Sequence, residues 1–384
     1  MTSRERILKA LSFQEADRIP ISDSPWGATI ERWWGEGLPQ DVPPEAFFGF
    51  ELVAFGADTG PMFPVRILEE TDEYVVETTS AGGVRRNHKD FSTTPEVIDY
   101  PCKSRADWVA LKPRLQPSKE RVDWGGAWRE ERDEMRWHSR FEQLRRPWYP
   151  GGLEGCRQAR ADGKFVCYAD AIGYDKMQSY VATERLLMAV AEEPDWVRDM
   201  YETDADLSLA MFETMVEGGF EFDGAFMYCD LGYRNGTLFS PRHFEEQLHP
   251  VFKRVFSYYN DRGIPVFLHS CGNVKEFIPY FVDEGLRCLQ PLEVKAGMDI
   301  VEIKRQWGKG LAFMGGIDTR AMSDPNPNAI EEEIRSKIPV AMKGGGYIYH
   351  SDHSIPNNVS FAQYQRTLEL VRQYGSYQPS ALSG

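Results

Sequence analysis

Short apolar runs recur along this chain, each ending in a polar or glycine-bearing stretch. They are Arg18–Ser22, Leu52–Ala57, Phe165–Ala169, Gly224–Cys229, Pro265–His269, Cys288–Leu292, Leu311–Gly315 and Gly346–His350. Most are followed by segments with helical spacing, among them Thr183–Ala191, Pro241–Tyr259, Val274–Asp283 and Ala329–Met342. The first residues, Met-Thr-Ser-Arg-Glu-Arg-Ile-Leu-Lys-Ala, predict an amphipathic helix behind a Thr/Ser cap, with Glu5 in its first turn. Strands alternating with helices imply a parallel sheet. Eight such units predict an α/β fold of one domain over residues 1–384, a (β/α)8 barrel. An open doubly wound sheet is the alternative, but no glycine-rich phosphate loop follows the first run.

Two stretches break the repeat. Val65–Arg86 reads as a hairpin turning at Ala-Gly-Gly. Residues 91–150, rich in Pro, Trp and Arg, read as an insertion between strands two and three. It would cover the barrel mouth or form the contact of a homodimer.

The net charge of −15 argues against nucleic acid or an anionic membrane surface as partner. No apolar run is long enough to predict a transmembrane helix. Six cysteines in 384 residues do not make a disulfide framework, which points to a reducing cytoplasm.

Barrel enzymes carry their chemistry where strands end. Here those positions hold Asp58, Asp170 with Tyr180 beyond it, Asp230, His269 and Cys271, Glu293, Asp318, and His350, Asp352 and His353. On an extended chain residues i and i+2 face one side. His269 and Cys271 would therefore present an imidazole and a thiol together, a pair that suits zinc. A third ligand is needed, and His353 is the first choice, with Glu293 or Asp230 as a fourth. The pair also has a plainer reading, as a capping histidine and a small core thiol. Cys167, Cys229 and Cys288 lie inside apolar runs and read as core. Asp318 before Thr-Arg reads as a helix N-cap. Asp58 before Thr-Gly is a turn former or a substrate contact. Gly344–Gly346 lets the chain turn, and Trp26, Trp33 and Trp34 read as wall or core.

Four stretches carry a family resemblance: Phe55-Gly-Ala-Asp58, Pro265-Val-Phe-Leu-His-Ser-Cys-Gly272, Phe313-Met-Gly-Gly-Ile-Asp318 and Gly346-Tyr-Ile-Tyr-His-Ser-Asp-His-Ser-Ile-Pro356. Together they resemble the uroporphyrinogen decarboxylase superfamily, whose fold is a distorted (β/α)8 barrel. The superfamily holds two chemistries. In its cofactor-free decarboxylases, the positions matched by Asp58, Tyr180 and His353 line the cleft. Paired arginines after strand one grip substrate carboxylates there, whereas this chain has Asp23-Ser-Pro-Trp-Gly-Ala-Thr-Ile-Glu-Arg32. Its zinc methyltransferases carry His-x-Cys after strand five, matched by His269 and Cys271, and a Cys after strand eight, where His353 stands here. The resemblance is nearer to this second branch. It implies zinc held by His269, Cys271 and His353, with Asp230, Glu293 and Asp352 supporting the ligands or handling protons. It implies methyl transfer involving a methoxylated small-molecule substrate or a corrinoid, the latter as substrate or as the cofactor of a partner protein. The rivals are a metal-free decarboxylase using Asp58 and a non-catalytic tetrapyrrole- or corrinoid-binding module.

Overall fold

The computed structural model describes residues 1–89, 95–125 and 148–377. Seven parallel strands form one curled sheet: β1 (Leu52–Phe55), β6 (Phe165–Ala171), β7 (Gly224–Tyr228), β10 (Val266–His269), β11 (Cys288–Gln290), β12 (Ala312–Met314) and β13 (Tyr347–Ile348), in that order. Helices follow them in turn, including Tyr174–Val181, Pro194–Glu217, His249–Asn260, Ile300–Trp307, Pro327–Ala341 and Phe361–Tyr374. This is the α/β barrel that the alternation predicted.

The eighth position differs from the expectation. Arg18–Ser22 forms no ladder strand. Ile21 makes a single parallel bridge to Tyr349, and Arg18 an antiparallel one to Ser376. Pro20 has no N–H to donate, and Ile19 N–H bonds to Gly375 O at 2.9 Å. On the β1 side a side chain replaces the ladder: Glu51 Oε1 accepts from Ile21 N–H at 2.9 Å. The same carboxylate takes Arg18 Nη1 at 2.6 Å and Arg6 Nη1. One buried glutamate thus bridges the seam of the barrel.

Residues alternate along each strand between two cores, as the pleat requires. Val166, Tyr168, Ala225, Met227, Leu268 and Phe313 face outward to the helices. Phe165, Cys167, Phe226, Phe267, Cys288, Ala312, Met314 and Ile348 face the barrel axis. The first helix, Ser3–Leu11, has Thr2 and Glu5 in a reciprocal capping box, and it seals the lower end with Ile7, Ala10 and Leu11. Its carbonyl at Ala10 accepts from Gly346 N–H, just before β13. The inner core fills only the lower part, and the upper part remains a cavity.

Between β1 and β6 the departure from the repeat begins earlier than residue 91. β2 (Ile67–Glu70), β3 (Tyr74–Thr78), β4 (Val84–His88) and β5 (Glu96–Asp99) form a four-stranded antiparallel sheet. The predicted hairpin supplies its first three strands. Arg121 ties this region to the loop after β1, donating to the carbonyls of Asp58 and Gly60. Residues 91–94 and 126–147 of the predicted insertion lie outside the described residues. No described helix is long and apolar enough to cross a membrane.

Candidate metal centre

The inner face of β10 carries Phe267 and then His269, and Cys271 follows at the same parity. In register, His269 sits beside Tyr228 of β7 and Gln290 of β11. Two residues past Tyr228 comes Asp230, again at inner parity. β8 (Gly232–Tyr233) and β9 (Gly236–Thr237) form a short hairpin directly after it. Backbone contact then fixes the two loops together. A Cβ on Gly272 would lie 2.2 Å from the Gly232 carbonyl carbon, and one on Gly232 would lie 2.8 Å from Cys271 O. Only paired glycines allow this approach. Cys271 N–H donates to Asp230 Oδ1 at 2.8 Å across the same junction.

The result is a cluster of three unlike donors. Cys271 Sγ lies 3.3 Å from His269 Nε2, and His269 Nε2 lies 3.4 Å from Asp230 Oδ1. One donor atom from each residue falls within 4.8 Å of the others. Bonds of about 2.0–2.3 Å from zinc to nitrogen, oxygen and sulfur put neighbouring tetrahedral donors about 3.3–3.6 Å apart. The two edges that meet at His269 Nε2 have that length, and the third is no longer than 4.8 Å. His269 Nδ1 is hydrogen-bonded to Gln290 Oε1. An amide oxygen only accepts, so Nδ1 carries the proton and Nε2 offers its lone pair to the cluster. Glu293 braces the loop: its Oε2 accepts from Gly272 N–H at 2.7 Å, while Oε1 pairs with Lys295 at 3.0 Å.

Electrostatics fit a cation here. Burial works to raise the Asp230 pKa, but with no metal bound a proton on His269 Nε2, together with the Cys271 N–H, outweighs it and holds the carboxylate below its usual range; a cation would take the place of that proton. Burial, reinforced by Asp230 and Glu293, pushes the Cys271 thiol well up. A bound divalent cation reverses that penalty, because a coordinated thiol ionises.

The third ligand expected from sequence, His353, is not part of this cluster. His353 lines the same cavity, but the donor cluster among the described residues comprises Asp230, His269 and Cys271 without it. Strand pairing continues to Ser351, which bridges to Ile317, and the Ser351 hydroxyl, with one proton to give, lies between Asp23 Oδ1 and His353 O. His353 is edge-on to Trp26 at 6.2 Å, and burial, with Lys295 nearby, lowers its pKa.

The other expected residues lie as follows. Asp352 is 1% exposed, with its oxygens accepting from Val294 N–H and Thr319 N–H at 3.0 Å each. It staples the loops after β11 and β12. Asp58 Oδ1 and the Tyr180 hydroxyl both approach Gly60, so these two are neighbours. Neither lines the cavity that holds His269 and Cys271. Tyr180 is sealed in the outer core, where burial raises its pKa strongly. Asp318 caps the helix Thr319–Ser323 as the sequence suggested. All six cysteines are free thiols, and Cys271 alone among them is not fully buried.

The cavity measures about 460 Å³ and runs from Asp230, His269 and Cys271 to Asp23, Ser24 and His350. Phe226, Tyr228, Met314 and Trp148 supply its apolar walls. Sequence reading had not drawn Gln290, Asp23 and Ser24 into the site. Parity marks Gln290, two residues beyond inward-facing Cys288, but nothing local marks its partner.

Comparison with known proteins follows the same lines. A family model described as Uroporphyrinogen decarboxylase (URO-D) matches residues 176–374, more than half of the chain. Uroporphyrinogen decarboxylases of Bacillus cereus (strain AH820) and Bacillus mycoides (strain KBAB4) are each 26% identical over 132 residues. Those residues are 34% of this chain and 35% of theirs, so the chain spans about a third of the length of the curated relatives it matches. Among solved structures, a methyltransferase from Methanosarcina mazei shares the fold with a TM-score of 0.60. It is 15% identical, covering 97% of this chain and 98% of that one.

Proposed function

We propose, for a chain that belongs to the uroporphyrinogen decarboxylase family, that it is a zinc-dependent methyltransferase acting at the mouth of its barrel. The observation that carries this reading is the convergence of Asp230, His269 and Cys271, with the two edges at His269 Nε2 of the length a zinc site has. Zinc held there supplies a Lewis acid that lowers the pKa of a bound nucleophile or polarises the group that loses methyl. The methyl group would pass between a corrinoid, borne by a partner protein or free, and a small molecule in the cavity.

The protein's own residues do the remaining work. Asp230 and Cys271 give two anionic donors and His269 one neutral donor. That set is more electron-rich than the two imidazoles and one thiolate expected from sequence, and it suits activation of a soft nucleophile. Gln290 fixes the His269 ring and its tautomer. Glu293 holds the Gly272 N–H and so the Cys271 loop. Phe226, Tyr228 and Met314 exclude water from the reacting end.

Methyl transfer from methylcobalamin to a thiol, followed by absorbance, tests the proposal. Activity present with zinc, abolished by chelation and lost in Cys271→Ser supports it. Carbon dioxide release from uroporphyrinogen in metal-free buffer, lost in Asp58→Ala and kept in Cys271→Ser, overturns it in favour of a decarboxylase. Tight corrinoid binding without turnover of either substrate points to a non-catalytic module.

A further inference from the structure

The cavity has a second polar group, joined to the donor cluster through the Gln290 amide and built from different elements. His350 is 3% exposed, yet it lines the cavity with Ser24 and Asp23. Its tautomer follows from a chain of contacts. His350 Nδ1 sits 2.7 Å from Ser351 O, which only accepts, so Nδ1 carries a proton. Gln290 turns its amide oxygen to His269 Nδ1, which leaves its NH2 facing His350 Nε2 at 3.5 Å. A donor in that direction requires a lone pair on Nε2. Ser24 Oγ is 3.4 Å from the same nitrogen. Both contacts lie at the outer edge of hydrogen-bonding distance, so a closer donor from a ligand can take their place.

Among the described residues lining the cavity, the permanently charged side chains are carboxylates. Asp23 accepts from Ser24 N–H at 3.0 Å, Ser351 N–H at 3.3 Å, the Ser351 hydroxyl and the Tyr364 hydroxyl at 3.0 Å, and its Oδ1 stands 3.6 Å from the protonated His350 Nδ1. No lysine or arginine is among the described residues lining the cavity, and the carboxylate beside His350 is Asp23. Lys295 stands near the rim, paired with Glu293. A carboxylate entering this space would lose its water and meet lone pairs and negative charge.

We propose that His350 Nε2 and Ser24 Oγ form a hydrogen-bond-accepting subsite that selects substrates bearing a hydroxyl or ammonium group and excludes carboxylates. The substrate class rests on the methyltransferase reading, while the orientation of Gln290 rests on its contact with His269 Nδ1. The cavity volume suits a single substituted ring against Phe226 and Tyr228.

Three probes of one shape test it: 2-methoxybenzyl alcohol, 2-methoxybenzylamine and 2-methoxybenzoate. Their binding to zinc-loaded protein is measured by calorimetry or ligand-observed NMR. The alcohol or the amine should bind at least about tenfold more tightly than the benzoate. His350→Leu should abolish that preference, while Ser24→Ala weakens it by a smaller factor. Benzoate binding as tightly as the others, or none of the three binding at millimolar concentration, overturns the proposal. So does a preference unchanged in His350→Leu, provided the variant melts as the parent does. The same titration with Cys271→Ser separates the two readings. A preference that survives there while the parent binds no zinc removes the metal chemistry and leaves the subsite standing.

Discussion

Replacing Glu51 by Ala would open the barrel at its one seam without a backbone ladder. The carboxylate is 1% exposed and meets Arg6, Arg18 Nη1 at 2.6 Å and Ile21 N–H at 2.9 Å. Removing it leaves Arg6 with Asp17 as its remaining carboxylate, and Arg18 with the Ile19 carbonyl. Ile21 N–H loses its acceptor inside the protein. Truncating one partner of a buried ion pair costs about 3–5 kcal/mol. An orphaned buried N–H costs about 1–3 kcal/mol when it acts alone. These overlap, because one carboxylate serves all three donors, so the expected loss is about 3–5 kcal/mol in total. Urea denaturation near neutral pH, followed by tryptophan fluorescence, measures it. Glu51→Gln keeps the shape and one acceptor oxygen and should lose roughly half as much. A Glu51→Ala variant within about 1 kcal/mol of the parent would show that the seam is held by something other than this carboxylate.

Three further outcomes are expected. Gly272→Ala should lose zinc while keeping the circular dichroism of the barrel, since its Cβ would fall 2.2 Å from the Gly232 carbonyl carbon and push the two donor loops apart; unchanged zinc affinity would refute that coupling. Gln290→Leu should weaken zinc by about 10–100-fold through the freed His269 ring, as read by competition with a chromogenic chelator; parental affinity would refute the role of Gln290. Stability should also fall as pH rises through neutrality. Burial lifts buried Glu284 to about 7 despite His249, and the hydrogen bond to Glu284 raises His249 above its usual value. Both groups hold their protons more tightly folded than unfolded, so the stability they contribute is present at low pH and lost as pH passes their folded values. Melting temperature should drop between about pH 5 and pH 8, and Glu284→Gln should flatten the slope; an equal slope in the variant would contradict this origin.

Much of the fold was legible because strand parity and helix spacing are local. Phe267, His269 and Cys271 share a face by counting alone, and the observed pair follows from it. The capping box at Thr2 and Glu5 and the N-cap at Asp318 were readable for the same reason. What failed to show depends on contacts distant in sequence. Arg18–Ser22 has a strand's pattern, yet Pro20 and the Glu51 side chain replace half of its ladder. The antiparallel sheet between β1 and β6 was visible as a hairpin only, because β5 lies beyond the turn signals. The choice between Asp230 and His353 turned on the stagger of β7 against β10 and on where the last strand ends. Tyr228 opposite His269 places Asp230 level with Cys271, and strand pairing continues to Ser351, short of His353. Neither relation is written in any single stretch.

The most direct test counts zinc in purified parent, Asp230→Ala and His353→Ala proteins, by elemental analysis after dialysis against a weak chelator. Stoichiometric zinc in the parent, retained in His353→Ala and lost in Asp230→Ala, is the expected result. Absence of zinc from the parent, or loss in His353→Ala with retention in Asp230→Ala, would contradict a centre built from Asp230, His269 and Cys271.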